Sequence, residues 1–158
     1  MSVTNRRFAV ATLLTGVIAG LVGLACIHLL HWIQALAWDM HSGTLLEAVS
    51  AASPARRVLN LVLGGILGAA SWFFLFRRSR AITSVSAAVG GTPMPPLRAT
   101  WHALTQVLIV GLGASVGREV APREMAAAFS AAAADRLGLT PEDRRIIVAC
   151  GAGAGLAA

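Results

Sequence analysis

The feature that most constrains this chain is a run of 31 residues, 8–38, that contains no Asp, Glu, Lys or Arg. As an α-helix this run would be about 46 Å long, which exceeds the roughly 30 Å hydrocarbon core of a bilayer. Overall, 56% of the 158 residues are hydrophobic and only 13% are charged, whereas about a quarter of an ordinary soluble domain is charged. The sequence therefore predicts a membrane protein.

Three further apolar runs predict additional membrane segments. Residues 58–76 and 99–117 are each 19 residues long and lie between arginines; the second run is the more polar, so we expect it to face protein. Residues 146–158 follow the segment Thr140-Pro141-Glu142-Asp143, which is typical of a helix start. The predicted fold class is all-α: a polytopic membrane helix bundle.

Two apolar runs, 82–91 and 125–134, are about ten residues long and too short to cross a bilayer alone. Short helices in membrane proteins are often re-entrant half-helices that end at a polar cavity; for 82–91 an interfacial or loop helix is the alternative. Glycines four residues apart predict close helix packing, and four such pairs occur: Gly16/Gly20, Gly64/Gly68, Gly113/Gly117 and Gly151/Gly155.

The arginines that flank the predicted spans are distributed unevenly. Six lie on one side of the predicted membrane and two on the other; the six are Arg6, Arg7, Arg77, Arg78, Arg80 and Arg98, and the two are Arg56 and Arg57. Because cytoplasmic loops carry the excess of basic residues, we expect a cytoplasmic N-terminus. We also expect the membrane to be a bacterial inner (plasma) membrane. The sequence has no basic groove with interleaved aromatic residues, so we expect no nucleic-acid partner.

No motif of an enzyme, a cofactor site or a metal site is present, and we assign no catalytic residue. Cys26 and Cys150 lie in apolar runs without metal-ligand spacing, which favours buried reduced thiols. His28 and His31 share a helix face without a carboxylate or cysteine partner, which favours packing over metal binding. The first apolar run is about twice as long as the core of a signal peptide, so we expect an uncleaved first helix.

The candidate functional segment is GLGASVGREVAP, residues 111–122. Its two charged residues, Arg118 and Glu119, fall in an apolar context, where ionisable residues usually serve a function. A helix that begins near Arg118 would present unpaired backbone N–H groups and the positive end of its dipole, which together favour an anion. Glu119 could occupy such a site and leave it on protonation; a capping Glu119 paired with Arg118 at an interfacial helix start is the alternative.

The sequence resembles the CLC family of chloride channels and proton/chloride antiporters. Gly117-Arg118-Glu119 with a nearby Pro is similar to the family's Gly-Arg-Glu-Gly-Pro signature, and the Gly/Ala-rich segment that ends in Gly-Leu-Ala-Ala at residues 155–158 is similar to the family's next helix. The likeness is best over residues 97–158. It implies that Glu119 is the gating glutamate and that Gly117, Arg118 and Val120 supply backbone groups around an anion site.

The sequence also differs from the family pattern. Val120 replaces the second glycine of the signature, and Ala121 is inserted before Pro122. The family's Gly-Ser-Gly-Ile-Pro signature, whose serine contributes to a central chloride site, is absent, and only Ser79 could take the place of that serine.

The resemblance implies that residues 1–158 are the N-terminal part of a CLC-type transmembrane domain, truncated before its second half. The expected activity is chloride transport through a channel or in exchange for protons, with a homodimer as the full-length assembly and no cofactor. We expect that the fragment alone does not form a closed pathway. The alternative function is a small self-assembling membrane scaffold or accessory subunit without transport activity.

Overall fold

A computed structural model describes residues 3–40, 43–77 and 82–158. The described parts of the chain form α-helices joined by short turns. In chain order the helices are α1 (Val3–Trp38), α2 (Leu45–Ala51), α3 (Pro54–Arg77), α4 (Val85–Val89), α5 (Pro96–Gly111), α6 (Val120–Arg136) and α7 (Pro141–Ala157). This arrangement confirms the all-α prediction.

Two of these helices are long and apolar enough to cross a membrane. They cover Asn5–Trp38 and Pro54–Arg77, with mean hydropathies of 2.3 and 1.9. Large apolar side chains remain exposed on both, for example Leu13 at 73% and Ile66 at 60%. Contiguous apolar surface of this kind is costly in water and suits contact with lipid.

The third predicted span is shorter than expected, because α5 ends at Gly111 rather than at residue 117. Gly113 has a φ of 102°, and the N–H of Ala114 donates to the carbonyl of Ile109, which is the hydrogen bond of a Schellman ending. Beyond this turn the backbone leaves the helix. The buried side of α5 includes Thr105 and Gln106, which confirms that its polar side chains face protein.

The C-terminal ends of α1 and α5 are held together by polar contacts. The indole Nε1 of Trp38 donates to the carbonyl of Gly111 at 2.9 Å. One carbonyl near the end of α1 also accepts from α3, because Arg56 Nε and Asn60 Nδ2 each donate to the carbonyl of Ala37 at 2.8 Å. These bonds supply donors to carbonyl oxygens that a helix end would otherwise leave unpaired in an apolar environment.

The C-terminal third of the chain forms a helical hairpin of α6 and α7. Gly138, with a φ of 64°, follows α6, and the hydroxyl of Thr140 accepts from the N–H of Asp143 at the start of α7. The helix start predicted at Thr140-Pro141 is therefore confirmed. Each of the two helices has 17 residues, so each is about 25 Å long, shorter than a typical membrane span.

Two predicted short helices have different lengths in the structure. The run 125–134 is the interior of α6, which extends to 17 residues because Arg123 and Glu124 are part of the helix. The run 82–91 contains only the five-residue α4, which begins at the capping hydroxyl of Ser84. Ser79 lies outside the described residues. The helix α2, which no apolar run indicated, begins at a capping box between Thr44 and Glu47.

Glycine pairs mark two of the helix contacts. A side-chain carbon at Gly64 would lie 3.3 Å from the side chain of Leu112, directly after α5, and one at Gly68 would lie 3.0 Å from the side chain of Ile109 in α5; one at Gly151 or Gly155 would lie within 3 Å of atoms of α6. The pair in α1 has no atom within 4 Å. The pair at 113 and 117 follows the end of α5, so the prediction that its two members share a helix face is wrong.

Candidate anion site

The predicted functional segment opens onto a cavity of about 220 Å³. Its wall comes from α1, α5, the start of α6, the end of α7 and the loop before α6. The lining residues are Gly23, Cys26, Ile27, Leu30, Gln106, Val107, Val110, Gly117, Arg118, Glu119, Ala121, Pro122, Gly155, Leu156 and Ala158.

The cavity lies beside the middle of α1, within its apolar stretch, and not at the end of the helix. Its α1 residues run from Gly23 to Leu30, which places them about 12 to 23 Å before the last residue of the helix. Towards the N-terminal end of α1, Ala134 near the end of α6 packs in the same cluster as Ala11 of α1. Helix α6 therefore runs from the middle of the bundle towards the N-terminal end of α1, as a half-helix does.

The start of α6 supplies backbone donors at this depth. Glu119 is the residue before the helix, Val120 and Ala121 are its first two residues, and Pro122, which has no N–H, is the third. The first N–H groups of a helix have no acceptor within it, so the available donors belong to Glu119, Val120 and Ala121. The inserted Ala121 moves the proline one position into the helix and lines the cavity itself.

The Glu119 side chain does not cap the helix that it precedes. Its carboxylate makes no capping hydrogen bond and instead lies against Gly117. If residue 117 had a side-chain carbon, that carbon would lie only 2.7 Å from Cδ of Glu119. Gly117 therefore leaves the space that the carboxylate occupies. The segment from Gly117 to Glu119 is exposed in the structure, so this carboxylate can move without displacing buried neighbours.

A second pair of ionisable groups lies between α5 and α6. His102 Nδ1 is 2.7 Å from Glu124 Oε2, and the two side chains are only 17% and 13% exposed. Gln106 is next to this pair, with its Nε2 3.0 Å from Nδ1 of His102, and the ring of Trp72 lies 6.1 Å from the imidazole ring, between centroids. The charged Glu124 within an Ala-rich helix was the sequence signal for this cluster, which sequence reasoning missed.

The structure brings most of the predicted site residues to one place. Gly117, Arg118 and Glu119 all line the cavity, whereas Val120 is half-buried and does not line it. Ser79 is outside the described residues.

The cysteine and histidine predictions have mixed outcomes. Cys26 is buried with its Sγ 3.9 Å from the sulfur of Met125, as expected, but Cys150 is exposed, so its predicted burial is wrong: it lies on the outer side of α7. His28 and His31 are both exposed on α1. In residues 3–40, 43–77 and 82–158 no three His, Cys, Asp or Glu side chains cluster as metal ligands would.

Two helices long and apolar enough to cross a membrane, together with a helix that starts at a cavity in the middle of the bundle, define the class of protein: an integral membrane protein. The sequence profile of the family described as "Voltage gated chloride channel" matches residues 64–158. The chain belongs to this family.

Individual relatives extend the similarity to nearly the whole chain. It is 31% identical to the voltage-gated ClC-type chloride channel ClcB of Escherichia coli O81 (strain ED1a) over 97% of this chain. It is 30% identical to the protein of the same name from Yersinia pseudotuberculosis serotype O:1b (strain IP 31758) over 92% of this chain. The chain spans 37% of the length of each of these relatives. No solved structure matches it.

Proposed function

We propose that the protein to which this chain belongs moves chloride or a similar anion across the membrane, and that Glu119 gates this movement. The observation that carries the proposal is the cavity beside the start of α6, which is lined by Glu119 and by Ala121 in the first turn of the helix. The names of the relatives, which are chloride channels, support chloride as the anion.

The proposed mechanism is a competition between the carboxylate and the anion for the same positive site. The N–H groups and the dipole at the start of α6 favour a negative group there. An ionised Glu119 can fill the site, and a protonated Glu119 has less affinity for it, because a neutral carboxyl lacks the charge that the dipole attracts. Anion movement would then increase as Glu119 takes up a proton, in a channel or in a proton/chloride antiporter.

Several features of the assembly belong to the same proposal. Residues 1–158 would be the N-terminal part of the transmembrane domain, with the N-terminus in the cytoplasm of a bacterial cell and the domain in the inner membrane. The uneven arginine distribution supports that orientation. The complete protein would act as a homodimer, and it would have no enzymatic activity.

The test is chloride efflux from liposomes that contain the full-length gene product, measured between pH 4.5 and 7.5. Wild-type efflux should change with pH, and Glu119→Gln should remove that dependence, because glutamine cannot ionise. Glu142→Gln is the matched control, since Glu142 is exposed in the first turn of α7 and distant in sequence from the cavity residues of α6. If Glu119→Gln keeps the wild-type pH dependence of efflux, Glu119 is not the gate. If folded wild-type protein gives no chloride efflux, the alternative of a membrane scaffold without transport activity is favoured.

A further inference from the structure

The contact between His102 and Glu124 lies close to the anion cavity. Glu124 is on the same helix as the anion-binding start of α6, five residues after Glu119, or about 7.5 Å along the helix axis. A carboxylate this close to an anion cavity repels the anion. Two unit charges about 10 Å apart at an effective dielectric constant of about 20 interact strongly enough to change an affinity on the order of tenfold.

We propose that His102 is an anion-affinity residue, whose imidazolium cancels the charge of Glu124 and so keeps the cavity attractive to chloride. This inference rests on the proposed function and adds to it a residue that touches neither the gate nor the helix start. The distance of 2.7 Å between Nδ1 and Oε2 is typical of a charge-assisted hydrogen bond.

The environment of the pair favours neutralisation. Both side chains are largely buried, where an unpaired charge is strongly disfavoured and a paired one is tolerated. Helix α5 brings the imidazole to Glu124, and the ring of Trp72 from α3 encloses its other side at 6.1 Å. The other charged side chains close in sequence on these two helices are Arg98 on α5 and Arg123 on α6.

Gln106 connects the pair to the cavity. The amide end of Gln106 lies 3.0 Å from Nδ1 of His102, and its oxygen, which has no other partner, is the atom that accepts from a protonated imidazole, because both ring nitrogens then donate. The same residue forms part of the cavity wall. At 6% exposure Gln106 leaves little room for screening water between the two sites. An uncompensated charge on Glu124 would therefore be separated from the cavity by one side chain, and its effect on a bound anion would be only weakly screened.

A double-mutant cycle tests this inference in the full-length gene product. The measurement is the chloride concentration that gives half-maximal flux into liposomes at pH 7, for His102→Gln, Glu124→Gln and the variant with both changes. His102→Gln should raise this concentration about tenfold, because it leaves the Glu124 charge uncompensated. The double variant should return to within about twofold of wild type, and Glu124→Gln alone should leave the value unchanged or lower it.

The rescue separates an electrostatic role from a structural one. If the pair only holds α5 to α6, the double variant should need as high a chloride concentration for half-maximal flux as His102→Gln, or a higher one. This result would overturn the inference. A wild-type value for His102→Gln would overturn it as well. Should His102→Gln fail to fold, Glu124→Gln decides: a loss of chloride affinity contradicts the inference, and an unchanged or higher affinity supports it.

The failure of the inference is distinguishable from the failure of the proposed function. If Glu119→Gln removes the pH dependence of flux but the cycle at His102 and Glu124 shows no rescue, only the inference fails. If wild-type protein carries no chloride, the proposed function fails and the inference fails with it.

Discussion

The contact between α6 and α7 gives a prediction whose size follows from distances. Gly155 faces the first turn of α6, and a side-chain carbon there would lie 2.5 Å from the carbonyl oxygen of Pro122 and 2.7 Å from Cβ of Ala126. Ordinary van der Waals contacts begin at about 3.4 Å, so Gly155→Ala should force the two helices apart by a substantial part of an ångström. Overpacking of this kind typically costs about 1–3 kcal/mol.

The matched control is the same substitution two residues earlier on the same helix. Gly153 has no atom within 4 Å of the position that a side-chain carbon would take, so Gly153→Ala meets no obstacle. Alanine is more favourable than glycine within a helix by about 1 kcal/mol, and both variants gain this term. The difference between them therefore isolates the steric cost at Gly155.

The assay is equilibrium unfolding of the purified protein in mixed detergent micelles, followed by tryptophan fluorescence. We expect Gly153→Ala to be as stable as wild type or more stable, and Gly155→Ala to be less stable than Gly153→Ala by about 1–3 kcal/mol. Equal stabilities for the two variants would refute the close packing of α7 on the first turn of α6. That result would also remove the wall that α7 gives to the anion cavity.

Three further predictions test other parts of the fold. Ile147→Ala, at a side chain with no exposed surface, should lower the free energy of unfolding by about 2–5 kcal/mol, whereas Ile146→Ala, at 50% exposure, should change it by far less; equal losses in detergent unfolding would contradict the packing of α7. Trp38→Phe should cost about 1 kcal/mol in the same unfolding assay through loss of its indole hydrogen bond to the end of α5, and no loss would argue against that contact. A maleimide reagent in detergent should label the exposed Cys150 much faster than the buried Cys26, as measured by mass spectrometry of the labelled peptides. Faster labelling of Cys26 would contradict the orientation of α7 in this structure.

The sequence was sufficient to predict the helical class and the long spans, because long runs without charge have few alternatives in a bilayer. It also predicted the start of α7, where a capping threonine, a proline and two acids act together at Thr140 and the three residues after it. The signals at the start of α7 are local, because each lies within one turn of the helix start that they predict. Two short motifs were sufficient to predict the family, and the membership of the chain in that family is confirmed.

The errors in the sequence analysis arose where tertiary packing decides. A run of uncharged residues suggested that α5 continues to residue 117, but the turn at Gly113 ends it earlier, under the ring of Trp38 from another helix. Charges limited the apolar run to residues 125–134, yet α6 extends over Val120–Arg136, and Glu124 is accommodated inside the helix because His102 on α5 reaches it. No pattern within α6 alone could indicate that partner.

The central claim is that an anion binds in the cavity at the start of α6, where the first backbone N–H groups of the helix have no acceptor within it. Bromide is the most direct probe, because it resembles chloride and scatters anomalously in X-ray diffraction. In crystals of the full-length Glu119→Gln variant soaked in bromide, we expect an anomalous peak within hydrogen-bond distance of these N–H groups. A cavity without bromide in well-ordered crystals at saturating concentration would contradict the account.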